Sequence, residues 1–407
     1  MIRRLRPNLG ISDLFSVLRP GGTRREFEEA VATEVGARYG LAFTYGHAGF
    51  FALLKALRVN GAEIILPAYT CRIMPDAVLA TGNIPVFVDI DLADYNMDLD
   101  ALRSAITART KVIVATHMFG YPANTDGIRE IANDERICIL EDAAQTFPGA
   151  MGDSGGLRGD VGLFSFGPGK PLFTLRGGVL VTNDTELYEE LRSYRDGNMN
   201  SLPPAQWAKR WALLVVHYLL SRNLIYGLTW RLKLSKDTLY RLASLLRSAE
   251  EDPQSSGSEI PGDYAIRYAN FQARMGLAQL RKSDLILSRR RALARLYSEV
   301  LPAIPGFTPA PIVDGASYSL YTVRVKDRDA IHFCEQMRAR DIETGRTFDY
   351  ALPTLEKYSP YARGLYPGAE QAGREVVNLP AHHDLTEKQI HYVADSIRQV
   401  LRAGATG

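Results

Sequence analysis

Short apolar runs recur along the first half of the chain, at 41–45, 63–69, 84–91, 111–117, 137–142, 161–166 and 177–183. They read LAFTY, EIILPAY, IPVFVDID, KVIVATH, ICILED, VGLFSF and GGVLVTN. β-Branched and aromatic residues dominate them, and most lack the apolar–polar alternation of a half-exposed strand. Such continuity is expected of strands buried on both faces. Helical patterns separate several of the runs, among them AGFFALLKALRV (48–59) and LDALRSAI (99–106), with Asp98 placed as N-cap of the second. Strand–helix alternation predicts a mainly parallel α/β sheet of seven strands. Ligands of such sheets bind beyond the strand C-terminal ends. Asp142, Ser165 and Lys170 all fall there.

The second half reads differently. A long helix is predicted over 271–301, a strand over 319–325 and helices over 330–340 and 386–403, which together suggest a small α+β domain. The expected organisation is an N-terminal arm (1–22), a large domain (23–204), an insertion with its linker (205–261), and the long helix with the small domain (262–407). Residues 205–247 hold eight Lys/Arg and one acid, and all three tryptophans, Trp207, Trp211 and Trp230. The segment 248–263, SAEEDPQSSGSEIPGD, reads as a flexible loop.

Composition is that of an ordinary globular protein, with 46% hydrophobic and 23% charged residues in 407. A net charge of +2 gives no polyanion signature, so nucleic acid is not an expected partner. Cys71, Cys138 and Cys334 are far apart and form no metal-binding pattern, so neither a zinc site nor a disulfide framework is expected. The N-terminus, MIRRLRPNLGISDLF, lacks the long apolar core of a signal peptide. A reduced, cytoplasmic setting is therefore expected.

The stretch FSFGPGKPLFTLRGG (164–178) surrounds Lys170 with glycine and proline just past a strand. An amine held by its surroundings can act as a nucleophile, as in Schiff-base lysines. LEDAAQ places Asp142 at a strand end with Gln145 one helical turn on, and TYGHAGF (44–50) places a glycine turn at a helix start, where free N–H groups suit a phosphate. An aldehyde-trapping lysine, a buried acid for a pyridine nitrogen and a phosphate cup describe a pyridoxal phosphate site.

These stretches, with ILPAYT, PVFVDID, YNMDLDAL, ITARTKVIVATHMFG, GDVGLFSF, GGVLVTND, RYANFQARMGLAQL and NLPAHHDLT, run in an order that resembles the DegT/DnrJ/EryC1/StrS family of sugar aminotransferases. The resemblance implies the type I, aspartate aminotransferase-like fold. It places Lys170 on the Schiff-base lysine, Asp142 on the acid at the pyridine nitrogen and Gln145 at the phenolic oxygen. It places Ser165 on a phosphate-binding hydroxyl, and Gly46, His47 and Ala48 on the phosphate turn. It also implies a homodimer, an amino donor such as glutamate and a keto-sugar acceptor, most simply a nucleotide-linked one. A sister group of dehydratases carries histidine at the lysine position, and Lys170 argues against it.

The chain departs from that pattern at four places. His47 stands where Thr or Ser is usual, and Cys71 where an aromatic residue packs on the cofactor ring. Ala265 stands where an asparagine of the partner subunit commonly reaches the phosphate, and Arg176 where an acid is frequent. Tyr321 and Arg346 are candidate substrate contacts near the small domain, Arg346 towards a carboxylate or phosphate and equally readable as a surface arginine. His382 and His383 read as structural or substrate-side, with no metal. The insertion has two readings: an interfacial element on a membrane surface, serving a lipid-linked or amphipathic acceptor, or an extra helical hairpin packed on the dimer or on the small domain. A non-catalytic regulatory protein of the same fold is the remaining alternative.

Overall fold

The structure is a computed structural model that describes residues 1–18, 20–133, 136–153, 156–222, 225–227, 230, 262–301, 305–326 and 328–403. All seven apolar runs of the first half are strands of one sheet. They are β1 (Tyr39–Phe43), β2 (Glu63–Pro67), β3 (Ile84–Val88), β4 (Thr110–Thr116), β5 (Cys138–Asp142), β6 (Val161–Ser165) and β7 (Gly178–Thr182). The strand order is β1-β7-β6-β5-β4-β2-β3. Pairs within β3, β2, β4, β5 and β6 are parallel, while β7 runs antiparallel to both its neighbours. Six strands therefore end at one sheet edge, and β7 begins there.

Every residue of β2 and β7 is buried, as the continuous apolar runs require. Successive side chains alternate between two cores. Ile64, Leu66, Val112 and Val114 join the cluster holding Phe50, Leu53 and Leu54 of the helix Gly46–Ala56. Ile65, Ile113 and Ala115 join Leu102 and Ile128 on the other face. Each strand is thus apolar throughout because helices cover both faces. The helix Leu99–Ala105 begins as expected, with the Asp98 carboxylate accepting from the Ala101 N–H at 2.8 Å.

The long helix predicted over 271–301 is two helices, Asn270–Leu280 and Ser283–Val300. The apolar periodicity runs through both, which hides the break. At the break Lys282 reaches the buried Asp13 carboxylate at 2.7 Å, and the Ser283 hydroxyl donates to the Leu280 carbonyl at 2.7 Å. A three-stranded antiparallel sheet of β8 (Phe307–Thr308), β9 (Tyr321–Val325) and β10 (Val376–Leu379) follows, packed with the helices Ala330–Arg338 and Glu387–Ala403. The N-terminal arm crosses to this half: Ile2 donates to the Asp341 carbonyl at 2.7 Å and accepts from the Glu343 N–H at 2.8 Å.

The described part of the insertion contains the helix Pro204–Leu220. Each of its tryptophans has a partner within the protein, although Trp207 stays 38% exposed. Trp207 meets the edge of Phe271 at 5.9 Å, Trp211 packs on the cluster of Leu213, Leu214 and Phe173, and Trp230 donates to Asp341 at 3.0 Å. No helix among the described residues is long and apolar enough to cross a membrane. The remainder of the insertion and nearly all of the predicted loop lie outside the described residues.

Candidate active site

The sheet edge where β6 ends and β7 begins is built around close backbone contacts. A Cβ on Gly178 would lie 2.4 Å from the Gly46 Cα, and one on Gly177 would lie 2.5 Å from the Tyr268 ring. Gly178 therefore lets β7 lie directly against the start of the helix Gly46–Ala56, and Gly177 leaves room for the Tyr268 ring. Phe166 closes the loop between the strands, donating to the Gly177 carbonyl at 2.8 Å and accepting from the Thr174 N–H at 2.9 Å. Inside that loop, Gly169 takes φ +79° and the Lys170 N–H returns to the Gly167 carbonyl at 3.2 Å. Lys170 thus sits on a tight turn anchored at both ends.

A cavity of about 310 Å³ opens beside this turn, lined by Gly46, His47, Cys71, Asp142, Gln145, Ser165 and Lys170. Ala48 lies behind the wall, fully buried. Two sequence candidates are elsewhere. Tyr321 is buried against Tyr297, with rings 4.6 Å apart, in the small-domain core. The Arg346 guanidinium donates to the carbonyls of Gly373 and Arg374 and so caps the end of the helix Pro367–Glu375. Neither lines the cavity, and both are held by packing or capping on the small domain. His382 and His383 are likewise outside it, and no group of three His, Cys, Asp or Glu among the described residues could hold a metal ion.

Other lining residues were missed: Arg4 and Leu5 from the N-terminal arm, Thr70, Ser319, and Thr347 and Phe348 beside Arg346. The segment ETGRTFDY reaches the cavity through Thr347 and Phe348, not through Arg346. A second cavity, of about 320 Å³, opens beside His117 and Glu141 and contains none of the sequence candidates.

Asp142 and its neighbour Glu141 are both buried, yet their acidities move in opposite directions. Burial pushes the Asp142 carboxyl above its ordinary value, opposed in part by the Lys170 amine and the Ala144 N–H. Burial acts on Glu141 too, but a hydrogen bond from His117 and the N–H groups of Gly159 and Arg158 outweigh it, and its pKa falls. His117 Nδ1 accepts from the Ala123 N–H at 3.1 Å, so its proton is on Nε2, 3.1 Å from Glu141. The His117 N–H also holds the Asp142 carbonyl at 3.0 Å. Glu141 and His117 therefore brace the strand end that carries Asp142.

The Gln145 carbonyl accepts from the hydroxyls of Ser317 and Ser319, which joins this strand end to the segment before β9. His47 stacks on Tyr45 at 4.8 Å, and burial with the nearby Lys170 amine pushes its imidazole down to about 3, so it faces the cavity neutral. Burial pushes the Cys71 thiol up, which leaves it a small packing group. Arg176 turns from the cavity to the Tyr45 hydroxyl.

The residues present fit pyridoxal phosphate. Tyr45, the N-cap of the helix Gly46–Ala56, provides no side-chain cap, and among the described residues no side chain takes up the first-turn N–H groups, which begin at Gly46 against Ser165. With the helix dipole they form a phosphate seat. Lys170 supplies an amine, and the buried Asp142 suits a ligand carrying a positive ring nitrogen. With Cys71 in place of an aromatic residue, His47 and Phe348 are the rings on the cavity wall.

The fold is that of the pyridoxal phosphate-dependent aminotransferases. A solved aminotransferase structure, TlmJ from Streptoalloteichus hindustanus, superposes with a TM-score of 0.76 at 26% identity, covering 100% of both chains. Residues 15–223 and 234–398 match the DegT/DnrJ/EryC1/StrS aminotransferase family, and the chain belongs to that family. The GDP-perosamine synthase of Caulobacter vibrioides is 28% identical over 92% of this chain and 89% of its own. The UDP-N-acetyl-3-dehydro-alpha-D-glucosamine 3-aminotransferase of Acidithiobacillus ferrooxidans is 28% identical over 94% and 89%.

Proposed function

We propose that this aminotransferase moves an amino group from an amino acid, glutamate in the first instance, to a keto-sugar carried on a nucleotide. The observation that carries this reading is the meeting of Lys170, Asp142 and an uncapped helix start on the walls of one cavity. The two relatives, named for a GDP-sugar and a UDP-sugar activity, support a nucleotide-linked acceptor. When bound, pyridoxal phosphate supplies an electron sink for charge developing at the substrate carbon.

The chain's own residues would do the rest. The Lys170 Nζ holds the cofactor and, once released, takes and returns a proton at the substrate carbon. Positioned proton transfer of this kind typically gives about 10²–10⁴-fold in rate. The Asp142 carboxylate keeps a positive charge on the ring nitrogen, and its burial strengthens that interaction. Gln145 orients the phenolic oxygen. Ser165 and the N–H groups of Gly46, His47 and Ala48 hold the phosphate, with the neutral His47 in place of a hydroxyl. Leu5 and Phe348 exclude water from the mouth.

A homodimer is the expected working form. The intramolecular partners of Trp207, Trp211 and Trp230 favour the packed reading of the insertion, with the acceptor met in the cytoplasm rather than at a lipid surface. Incubation with ¹⁵N-glutamate and a panel of GDP-, UDP- and TDP-linked keto-sugars tests the proposal by mass spectrometry. Labelled nitrogen in a nucleotide-linked amino sugar supports it. Label recovered in none of them overturns it.

A further inference from the structure

The N-terminal sequence RRLR carries three arginines, of which Arg3 and Arg6 are engaged away from the cavity. The Arg3 guanidinium donates to the carbonyls of Ser221, Leu220 and Arg222 at 2.8, 3.2 and 3.0 Å and lies over the Tyr226 ring at 3.7 Å. Arg6 pairs with Asp384 at 2.5 Å. Arg4, between them, lines the cavity itself. Among the described residues no carboxylate lies within ion-pair distance of its guanidinium, whose Nε is buried and meets no acceptor. Among the described residues its side chain makes one hydrogen bond, a long one of 3.5 Å to the Thr347 hydroxyl. Glu343 accepts from the Arg4 backbone N–H at 3.1 Å and from the Tyr226 hydroxyl at 2.8 Å.

The place is shaped for that guanidinium. A Cβ on Gly345 would lie 2.8 Å from the Arg4 Nη1 and 3.0 Å from its Cζ, so the glycine of ETGRTFDY makes the room. The backbone is pinned as well, since the Arg4 carbonyl accepts from the Ala381 N–H at 3.0 Å. A half-buried guanidinium without a charge partner is costly unless a ligand supplies the anion. Its planar fork matches an oxyanion bidentately. Lys170, the other cation on the cavity wall, is committed to the cofactor.

We propose that Arg4 binds the anionic group of a substrate in this cavity, a carboxylate or a phosphate oxyanion. This rests on the aminotransferase reading of the site given above. A carboxylate would come from the amino donor and a phosphate from the nucleotide of the acceptor, and the two half-reactions separate them. The holoenzyme is followed by cofactor absorbance while glutamate is titrated, and its aminated form while a nucleotide-linked keto-sugar is titrated.

In Arg4→Met, which keeps the stem and loses the charge, the half-saturating concentration in one arm should rise about ten- to a hundredfold, the usual worth of a charged hydrogen bond. The limiting rate and the cofactor content should hold, and Arg4→Lys should recover part of the loss. A rise in the donor arm identifies a carboxylate site; a rise in the acceptor arm identifies a phosphate site. Gly345→Ala, which displaces the guanidinium without removing it, should move the same arm, and it decides the matter where Arg4→Met fails to take up cofactor. An active wild type matched within about twofold by these variants in both arms refutes the role of Arg4 alone. A wild type silent in both arms overturns the reading of the site itself, and Arg4 with it.

Discussion

Gly178→Ala is a one-methyl change whose effect can be worked from backbone positions. The added Cβ would lie 2.4 Å from the Gly46 Cα, 2.5 Å from its nitrogen and 2.8 Å from the Phe164 carbonyl oxygen. All three neighbours are backbone, so no rotamer can relieve the clash. Carbon atoms rest about 3.5–4.0 Å apart, so the helix start must move away from β7 by about 1 Å. Overpacking of this kind costs about 1–3 kcal/mol. The moved residues are those whose N–H groups would hold the phosphate. Loss of one charged hydrogen bond, about 1.5–3 kcal/mol, would weaken cofactor binding by roughly ten- to a hundredfold.

The assay is a titration of cofactor-free protein with pyridoxal phosphate, paired with thermal unfolding of the same sample. Gly167→Ala is the control. It lies in the loop that leads to Gly178, and its added Cβ would meet nothing within 4 Å. It should bind cofactor normally and melt unchanged or slightly higher. A Gly178→Ala protein with wild-type cofactor affinity and wild-type melting would refute the claim that this glycine seats the helix start.

The pH dependence of stability carries a signature of His47. Its folded pKa of about 3 lies below the ordinary 6.5. Its contribution is therefore complete above pH 6.5 and is lost as pH falls towards 3, by at most about 2 kcal/mol at pH 5. Cofactor-free His47→Gln should lose less stability than wild type between pH 7 and pH 5 in denaturant melts, and identical slopes would defeat that assignment. Glu141→Gln removes the acceptor charge for His117 and the N–H groups of Arg158 and Gly159, and should lower unfolding free energy by about 1.5–3 kcal/mol. Unchanged chemical denaturation would show that the brace is not needed. Arg346→Ala should cost about 1 kcal/mol of stability through loss of a helix-end hydrogen bond and leave the donor concentration dependence alone. A changed dependence at unchanged melting would return Arg346 to the site.

The strands were legible because a sheet covered on both faces leaves its apolar runs uninterrupted, as Ile64, Ile65 and Leu66 show by joining two different cores. Lys170, Asp142, Gln145 and Ser165 were legible because each lies at or just past a strand end, and strand ends share one edge. The break at Lys282 was not, since the apolar periodicity runs through it and the ion pair that marks it is to Asp13, far away in sequence. Arg4 was hidden for the same reason. Local sequence marks a basic N-terminus, whereas the gap beside Gly345 that receives the side chain exists only in the folded chain. Arg346 was misplaced because a segment reaching the cavity does not tell which of its side chains points inward. The insertion stood out by charge and tryptophan content, but neither states which surface the tryptophans face.

Borohydride reduction of the purified, cofactor-loaded protein, followed by peptide mapping, examines the assignment on which the mechanism rests. The linkage between the cofactor carbonyl and a lysine amine should be fixed on the peptide containing Lys170, the lysine on the cavity wall. Lys170→Ala should bind the cofactor without becoming labelled and should transfer no amino group. A label fixed on a different lysine, or amino transfer that survives Lys170→Ala, would contradict the proposed site.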